Sequence, residues 1–309
     1  MKKAIVTGAN GFVGSAVVKE LLKNGYEIYV VCRENRTNNI AKNQNIKIVY
    51  CDLSDIRNLD KYIPIGNYDL FYHFAWDGSA GPARADTQLQ LHNVQWTVDA
   101  LRVAKKLGSK RFICAGSIME HETIAAAYTQ GNKPGLGYIY GSGKLVAHTM
   151  CMSVAADIGI ELVWPEITNT YGVGERSPRM VNTTIQKCIN GENPKFTAGT
   201  QSYDFVYIDD AARAFRLIGE NGKPFHEYLI GSSTARSLKE FLKEMQSAIA
   251  PNLEFIFGDV PFTGIDMPIS SFDCSETERD TGFRAEISFA EGCRRTHEWW
   301  CKILKEELK

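Results

Sequence analysis

The stretch Thr7-Gly8-Ala9-Asn10-Gly11-Phe12-Val13-Gly14 carries three glycines, each separated from the next by two residues. It follows an apolar run at 4–6 that predicts a buried strand, and it precedes a pattern at 16–22 that predicts a helix. One glycine permits a tight turn, one lets a phosphate approach the backbone, and one allows the helix to pack closely on the sheet. Strand, turn and helix in this order predict a dinucleotide site, with the pyrophosphate at the helix N-terminus.

Short apolar runs alternate with helical patterns up to about residue 165, which predicts a Rossmann-type α/β fold with a doubly wound parallel sheet. Strands are expected near 3–7, 27–32, 46–50, 69–74, 111–115 and 160–164. Beyond them the chain is punctuated by Gly, Pro, Asn and Thr, which indicates a smaller C-terminal α/β substrate domain. We assign 1–165 and about 203–222 to the dinucleotide-binding domain, and 166–202 and 223–309 to the substrate (sugar-nucleotide) domain.

The residue after the second expected strand bears on the choice of cofactor. An acidic residue there would bond the ribose 2′-hydroxyl of NAD, but this chain has Arg33. A guanidinium can grip a 2′-phosphate through two hydrogen bonds, so Arg33, helped by Arg36, favours NADP, with NAD as the alternative. Both arginines are also common as solvated loop charges.

The composition excludes several classes of protein. At 309 residues with 44% hydrophobic content, the chain can bury a large core, and its net charge of −1 argues against a nucleic-acid or membrane surface. It has no apolar run of transmembrane length and no pattern of a secretory signal, so we expect a cytoplasmic protein. Eight scattered cysteines without a Cys-x-x-Cys pair favour buried free thiols over a metal site, and none is expected.

A second motif, Tyr140-Gly141-Ser142-Gly143-Lys144, places a phenol and an ammonium one helical turn apart. A tyrosine is too weak an acid to work near neutral pH unless its phenolate is stabilised, and a lysine four residues later lies on the same helix face. Ser117 follows the strand at 111–115, at the carboxyl edge of the sheet where such folds bind ligands. Its hydroxyl could polarise the same substrate oxygen as Tyr140.

Together these residues resemble the extended short-chain dehydrogenases/reductases that act on nucleoside-diphosphate sugars, and the resemblance covers nearly the whole chain. It rests on the glycines, on Ser117, Tyr140 and Lys144, and on several further segments. These are Cys51-Asp52-Leu53, His73-Phe74-Ala75-Trp76, Asn169-Thr170-Tyr171-Gly172, Asp204-Phe205-Val206-Tyr207-Ile208-Asp209-Asp210 and Thr281-Gly282-Phe283.

The resemblance implies a role for each matching position. Tyr140 would be the general acid/base, Lys144 would stabilise its phenolate, and Ser117 would orient the substrate oxygen. Substrate contacts are expected from Asn169, Arg176 and Tyr203, with Asn169 touching the phosphates. The implied cofactor contacts are Gly8, Asn10, Gly11, Phe12, Val13, Gly14, Arg33, Arg36, Asp52, Leu53, Phe74, Ala75, Trp76, Asn93, Tyr140 and Lys144.

Departures from the family pattern narrow the chemistry. Dehydratases of this family carry Thr-Asp-Glu where this chain has Ser117-Ile118-Met119, so dehydration is disfavoured, and no cysteine follows two residues after the serine. Two arginines of the family are replaced by Glu166 and Tyr203. Phosphate contacts could therefore come from other cations, each of which is also common as a solvated charge: Arg176, Arg179, Lys187 or Arg236.

Other polar residues lie near Ser117. Glu120 and Glu122 either meet a substrate hydroxyl or remain in solvent. His121 and His148 could carry protons, although a histidine on a loop or helix is more often a polar surface group.

Three functional hypotheses remain. The leading one is NADPH-dependent reduction of a nucleoside-diphosphate 4-keto(-6-deoxy) sugar, which would serve deoxysugar biosynthesis for surface polysaccharide or glycoside assembly. The alternative is an NAD-dependent nucleoside-diphosphate-sugar 4-epimerase, and a less favoured one is a non-catalytic cofactor-binding protein. The resemblance and two helices that look apolar on more than one side, near 88–107 and 140–156, predict a homodimer.

Overall fold

The structure is a computed structural model that describes residues 1–34, 40 and 42–307, so Arg36 lies outside the described residues. Its strands are β1 (Lys3–Thr7), β2 (Glu27–Cys32), β3 (Ile46–Tyr50), β4 (Tyr68–His73), β5 (Ser109–Cys114), β6 (Gly116–Ser117), β7 (Glu161–Ile167), β8 (Thr170–Tyr171), β9 (Lys195–Phe196), β10 (Ser202–Tyr203), β11 (Val206–Tyr207), β12 (Glu227–Ile230), β13 (Arg236–Ser237) and β14 (Ile256–Phe257). Its α-helices are α1 (Phe12–Lys23), α2 (Thr87–Leu107), α3 (Met119–Tyr128), α4 (Tyr138–Ile158), α5 (Met180–Ile189), α6 (Ile208–Asn221), α7 (Leu238–Ile249), α8 (Ser275–Thr281) and α9 (Phe289–Glu307). Short 3₁₀ helices cover Leu53–Lys61, Pro82–Ala85 and Ile269–Phe272.

A parallel sheet in the order β12-β7-β5-β4-β1-β2-β3 forms the centre, and the two-residue β6 pairs with β7 at its edge. The strand order reverses between β1 and β4, which is where doubly wound sheets bind their ligands. The prediction of a doubly wound Rossmann-type sheet is confirmed. The six expected strands correspond to β1, β2, β3, β4, β5 and β7 within two residues at their starts.

Both faces of the sheet are covered because its strands alternate between two apolar clusters. Along β1, Ala4 and Val6 pack in a cluster with side chains of α1 and α6, whereas Ile5 points to the opposite cluster with α2 and α4. Successive side chains of a strand point to opposite faces, so a continuous apolar run is the pattern of a strand buried on both sides. Packing in these two clusters fixes the position of the sheet edge at which the glycine turn lies.

The long helix α2 begins and ends at identifiable residues. The carboxylate of Asp86 accepts a hydrogen bond from the Leu89 amide at 3.0 Å, which caps the N-terminus. Gly108 ends the helix with φ +88°, and a Cβ at that position would lie 2.0 Å from the Gly66 carbonyl oxygen. The glycine therefore lets α2 turn directly into β5.

The C-terminal half forms a third apolar cluster around α5, α7 and α9, joined by Phe205 and Tyr207. The chain returns to the large sheet at α6, which packs beside α1. One boundary differs from the sequence assignment, because β12 pairs in parallel with β7 and extends the large sheet, although we placed 223–309 in the substrate domain. Its burial on the β7 edge depends on partners some 60 residues away, which periodicity does not reveal.

All eight cysteines are unpaired, and five of them are buried. Among the described residues, no helix combines the length and the apolar character needed to cross a lipid bilayer.

Candidate functional site

A cleft of about 940 Å³ opens at the carboxyl ends of the parallel strands. The glycine turn after β1, the segment after β4 and the segment after β5 form its wall on the sheet side, and residues 167–182 face them from the C-terminal half. The cleft is therefore bounded by both halves of the chain and runs past the point where the strand order reverses. Clefts of this position and size hold cofactors and small substrates in α/β proteins.

The glycine turn is shaped by contacts that a side chain would block. Gly8 has φ +68°, and a Cβ there would lie 2.5 Å from the amide nitrogen of Ala75. A Cβ on Gly14 would lie 2.2 Å from the carbonyl oxygen of Gly8, so α1 packs directly on the turn. Gly11 precedes α1, and its missing Cβ would meet only the Gly8 oxygen, at 3.2 Å. The first amides of α1 have no side-chain cap and no acidic residue beside them, so this end of the helix fits a pyrophosphate.

The predicted adenosine end lies beside β2 and the segment after β3. Arg33 lines the cleft, and its Nη1 lies 3.4 Å from Oδ2 of Asp77, a residue that follows β4. Leu53 also lines the cleft, whereas Asp52 does not and instead caps the following 3₁₀ helix through the Ser54 amide at 3.0 Å. That hydrogen bond lowers the pKa of Asp52. Arg36 lies outside the described residues.

The segment after β4 is held in place by a buried amide. Phe74, Ala75 and Trp76, which we assigned to the cofactor from the sequence, line the cleft. Asn93 on α2 is buried behind them: its Oδ1 accepts from the Asp77 amide at 2.9 Å, and its Nδ2 donates to the Asp77 carbonyl at 2.8 Å. Asn93 is not among the residues that line the cleft, so in this structure it fixes the backbone of the segment.

Ser117, Tyr140 and Lys144 all line the cleft, although 23 residues separate the first two in the sequence. Lys144 Nζ donates to the Ala115 carbonyl at 2.9 Å and lies 3.7 Å from the centroid of the Trp76 ring. It is 6.0 Å from the centroid of the Tyr140 ring, on the same face of α4. The structure thus gathers a hydroxyl, a phenol and an ammonium at the sheet edge, a set suited to proton transfer.

A buried carboxylate holds the segment that carries Ser117. Glu120 Oε1 accepts hydrogen bonds from the Ser117 amide at 2.9 Å and from Trp164 Nε1 at 3.2 Å. Its other oxygen lies 3.0 Å from His148 Nδ1, and the His148 ring stacks on Trp164 with centroids 4.5 Å apart. His148 is buried, so the reading of it as a polar surface group is wrong.

Beside this group, Glu166 stands where the family pattern has an arginine. It is buried and lies 2.6 Å from His121 Nε2. The neighbouring carboxylate raises the pKa of His121 to about 8, since it favours the charged imidazolium. At the place where the family pattern has an arginine, this chain therefore has a pair formed by Glu166 and His121.

The predicted substrate contacts divide into two groups. Asn169 lines the cleft and donates to the Asp204 carbonyl at 3.0 Å, and Tyr203 lines it with its ring stacked on Phe205 at 5.6 Å. Arg176 does not line the cleft, and its Nη1 lies 3.2 Å from Glu307 at the end of α9.

Of the other cations considered from the sequence, Arg179 lines the cleft at the start of α5. Arg236 pairs with Glu244 and lies over the Phe241 ring, and Lys187 is exposed on α5.

Two charged residues of the cleft received no role from the sequence, or only a weak one. Arg84, in the 3₁₀ helix before α2, lies with its Cζ 4.6 Å from the centroid of the Tyr140 ring. Glu122, on the same face of α3 as Met119, also lines the cleft. Burial raises the pKa of Glu122 to about 7, because the charged carboxylate loses its hydration. The only sequence signal was their proximity to the motifs.

One comparison with known proteins identifies the family of this chain. A model of the NAD dependent epimerase/dehydratase family matches residues 4–231. A dTDP-glucose 4,6-dehydratase of Haemophilus influenzae is 22% identical over 97% of this chain and 98% of its own length.

Among solved structures, a UDP-N-acetylglucosamine 4-epimerase from Methanobrevibacter ruminantium superimposes with a TM-score of 0.81 at 20% identity, covering 98% of this chain and 99% of its own. A mutant UDP-glucuronic acid 4-epimerase from Bacillus cereus, solved with NAD and UDP-4-deoxy-4-fluoro-glucuronic acid, gives a TM-score of 0.77 at 20% identity over 97% of this chain and 99% of its own.

The family match spans most of the chain, including the glycine turn, Ser117, Tyr140 and Lys144. The chain therefore belongs to the NAD dependent epimerase/dehydratase family, and it is an oxidoreductase-type enzyme of the extended short-chain dehydrogenase/reductase kind that its sequence resembles.

Proposed function

We propose that this enzyme reduces the ketone of a nucleoside-diphosphate 4-keto(-6-deoxy) sugar, with NADPH as the reductant. The observation that carries the proposal is the pairing of a complete Ser117, Tyr140 and Lys144 set with Arg33 at the other end of the same cleft. The first three suit transfer of a proton to a carbonyl oxygen, and the guanidinium suits a 2′-phosphate. Ile118 and Met119 leave no carboxyl group at the positions where dehydratases of the family carry their acid and base.

The chain's own residues would divide the work of the reduction. A nicotinamide dinucleotide bound at the glycine turn would supply the hydride. Tyr140 donates its phenolic proton to the substrate oxygen, and Ser117 holds that oxygen by a hydrogen bond. Lys144, fixed by the Ala115 carbonyl, stabilises the phenolate that Tyr140 leaves. Asn169 and Arg179 line the cleft on the side of the C-terminal half, where they would meet the diphosphate of the substrate.

A second candidate is an NAD-dependent 4-epimerase, and one observation favours it. Relatives of this fold named as 4-epimerases act on UDP-sugars, and one of them was solved with NAD. Tyr140, with Ser117 and Lys144, would take the proton of the C4 hydroxyl oxygen as C4 gives its hydride to the cofactor, and would return that proton when hydride comes back to the other face of C4, so the catalytic set fits both reactions equally. The two candidates differ in the cofactor, because an epimerase regenerates it in each turnover and a reductase consumes it.

Cofactor preference therefore decides between them. The purified protein would be denatured to identify any released nucleotide, and the cofactor-free protein would be titrated with NADPH and NADH. We expect tighter binding of NADPH, and at least a tenfold loss of that affinity in Arg33→Gln with NADH binding unchanged, since one charge-assisted contact is worth more than about 1.4 kcal/mol. Arg102→Gln, an exposed change on α2, is the matched control.

The activity test follows from the same preparation. NADPH-preferring protein should consume NADPH with 4-keto sugar nucleotides as acceptors. Tightly retained NAD, or interconversion of UDP-sugars without net NADPH consumption, would overturn the reductase and favour the epimerase.

We also propose a homodimer formed through α2 and α4. These helices pack against each other on one face of the sheet and still expose apolar side chains to solvent, among them Leu91, Val146, Met150 and Met152. A second copy that covers these side chains would remove apolar surface from water.

A further inference from the structure

We propose that Arg84 is a second cation acting on Tyr140, which stabilises its phenolate together with Lys144. Arg84 lies with its guanidinium carbon 4.6 Å from the centroid of the Tyr140 ring, closer than Lys144 Nζ at 6.0 Å. The inference rests on the proposed function only in that Tyr140 is taken as the proton donor. Arg84 would act on the reacting atoms only through Tyr140, so it is a positioning residue.

Among the described residues, none forms an ion pair with the Arg84 guanidinium within 4.0 Å. Its Nε is buried and has no hydrogen-bond partner, so other contacts do not tie this edge of the guanidinium. The neighbouring groups that act on its charge are Tyr140, Arg179, Glu122 and Tyr203. The ring of Tyr140 is thus the surface on which Arg84 rests.

Glu122 is the one carboxylic acid among these neighbours, and its burial weakens its electrostatic attraction to Arg84. Burial raises the pKa of Glu122 to about 7, so near neutral pH a large fraction of it is uncharged. Arg84 then keeps a net positive field toward Tyr140 in the pH range where the enzyme would work. Ionisation of Glu122 at higher pH would offset part of that field.

A cation over an aromatic ring is attracted by the negative face of the ring, and the attraction grows when the phenol becomes a phenolate. Lys144 is already engaged by the Ala115 carbonyl and the Trp76 ring, so its charge is shared among three groups. Arg84 lies in the 3₁₀ helix that precedes α2, and Lys144 lies on α4. The phenolate would therefore be stabilised by two cations that different elements carry.

The test follows the ionisation of Tyr140 directly and needs no substrate. The full chain would be labelled at tyrosine Cζ with carbon-13, and the Tyr140 resonance assigned by its loss in Tyr140→Phe. In Arg84→Met we expect the pH midpoint of the Tyr140 signal to rise by about one unit, since a charge beside the buried Tyr140 ring is removed. Arg84→Lys should restore part of the shift, which a purely structural role would not do.

Arg179→Met is the matched control, because it removes a cation of the same cleft that does not lie over the ring. A midpoint unchanged in Arg84→Met, or moved equally in Arg179→Met, would overturn the inference. Arg84→Gln answers the same question if the methionine variant does not fold. Because the titration is read without turnover, a shifted midpoint in a protein that fails to reduce 4-keto sugars would reject the proposed function and leave the role of Arg84 standing.

Discussion

At the scale of single residues, Glu122 gives the clearest dependence on pH. Its folded pKa is about 7, above the ordinary 4.5, so between these values the folded state holds a proton that the unfolded state releases. Stability must then fall as pH rises through that window. The glutamine in the Glu122→Gln variant does not titrate. The melting temperature of the wild type should therefore fall by about 2–4 °C relative to that of the variant between pH 5 and pH 8.

Thermal denaturation followed by circular dichroism measures this difference. Glu254→Gln, at an exposed position outside the cleft, should track the wild type at every pH. A gap between the wild type and Glu122→Gln that stays constant with pH would contradict the assigned titration.

At the scale of elements, the junction of β1, the glycine turn and α1 has no room for a methyl group at Gly14. A Cβ there would lie 2.2 Å from the Gly8 carbonyl oxygen, so Gly14→Ala must push α1 away from the turn. We expect a loss of about 1–3 kcal/mol in the free energy of unfolding, as for other overpacked sites. Dinucleotide affinity should fall at least tenfold, because the amides of α1 move from their place.

Chemical denaturation and cofactor titration would measure the two losses together. Gly135→Ala is the control, since a Cβ there meets nothing within 4 Å and its φ is not positive. If Gly14→Ala and Gly135→Ala had equal free energies of unfolding and equal dinucleotide affinities, the glycine turn would accommodate a methyl group, and the prediction would be wrong.

At the scale of the whole molecule, the exposed apolar surface on α2 and α4 predicts the oligomeric state. Leu91 is 66% exposed and Met150 is 50% exposed, so neighbouring helices both present large apolar side chains to solvent. Light scattering should find twice the chain mass of 34.5 kDa for the wild type, and the chain mass alone for a Leu91→Arg, Met150→Arg double variant. A wild-type protein that is monomeric at working concentration would contradict the proposed homodimer.

Local pattern alone was enough for much of this protein. The three glycines, the apolar runs and the Tyr140 to Lys144 spacing each concern residues within one turn or one strand, where covalent geometry dictates the relation. They determined the doubly wound sheet, the family and the edge of the sheet where Ser117, Tyr140 and Lys144 meet. The carboxyl ends of parallel strands lie at one edge of the sheet, so the sequence predicts that residues which follow different strands lie close together.

Only the tertiary structure decided the relations between distant segments. It placed Arg84 over Tyr140, brought Glu120 under Ser117, and put Arg179 but not Arg176 at the cleft. It also added β12 to the large sheet. The physical reason is that a charged side chain on a loop or a short strand carries no periodic signal. Its neighbours are fixed by how whole helices and strands pack, and that packing is settled by burial of apolar surface across the entire chain.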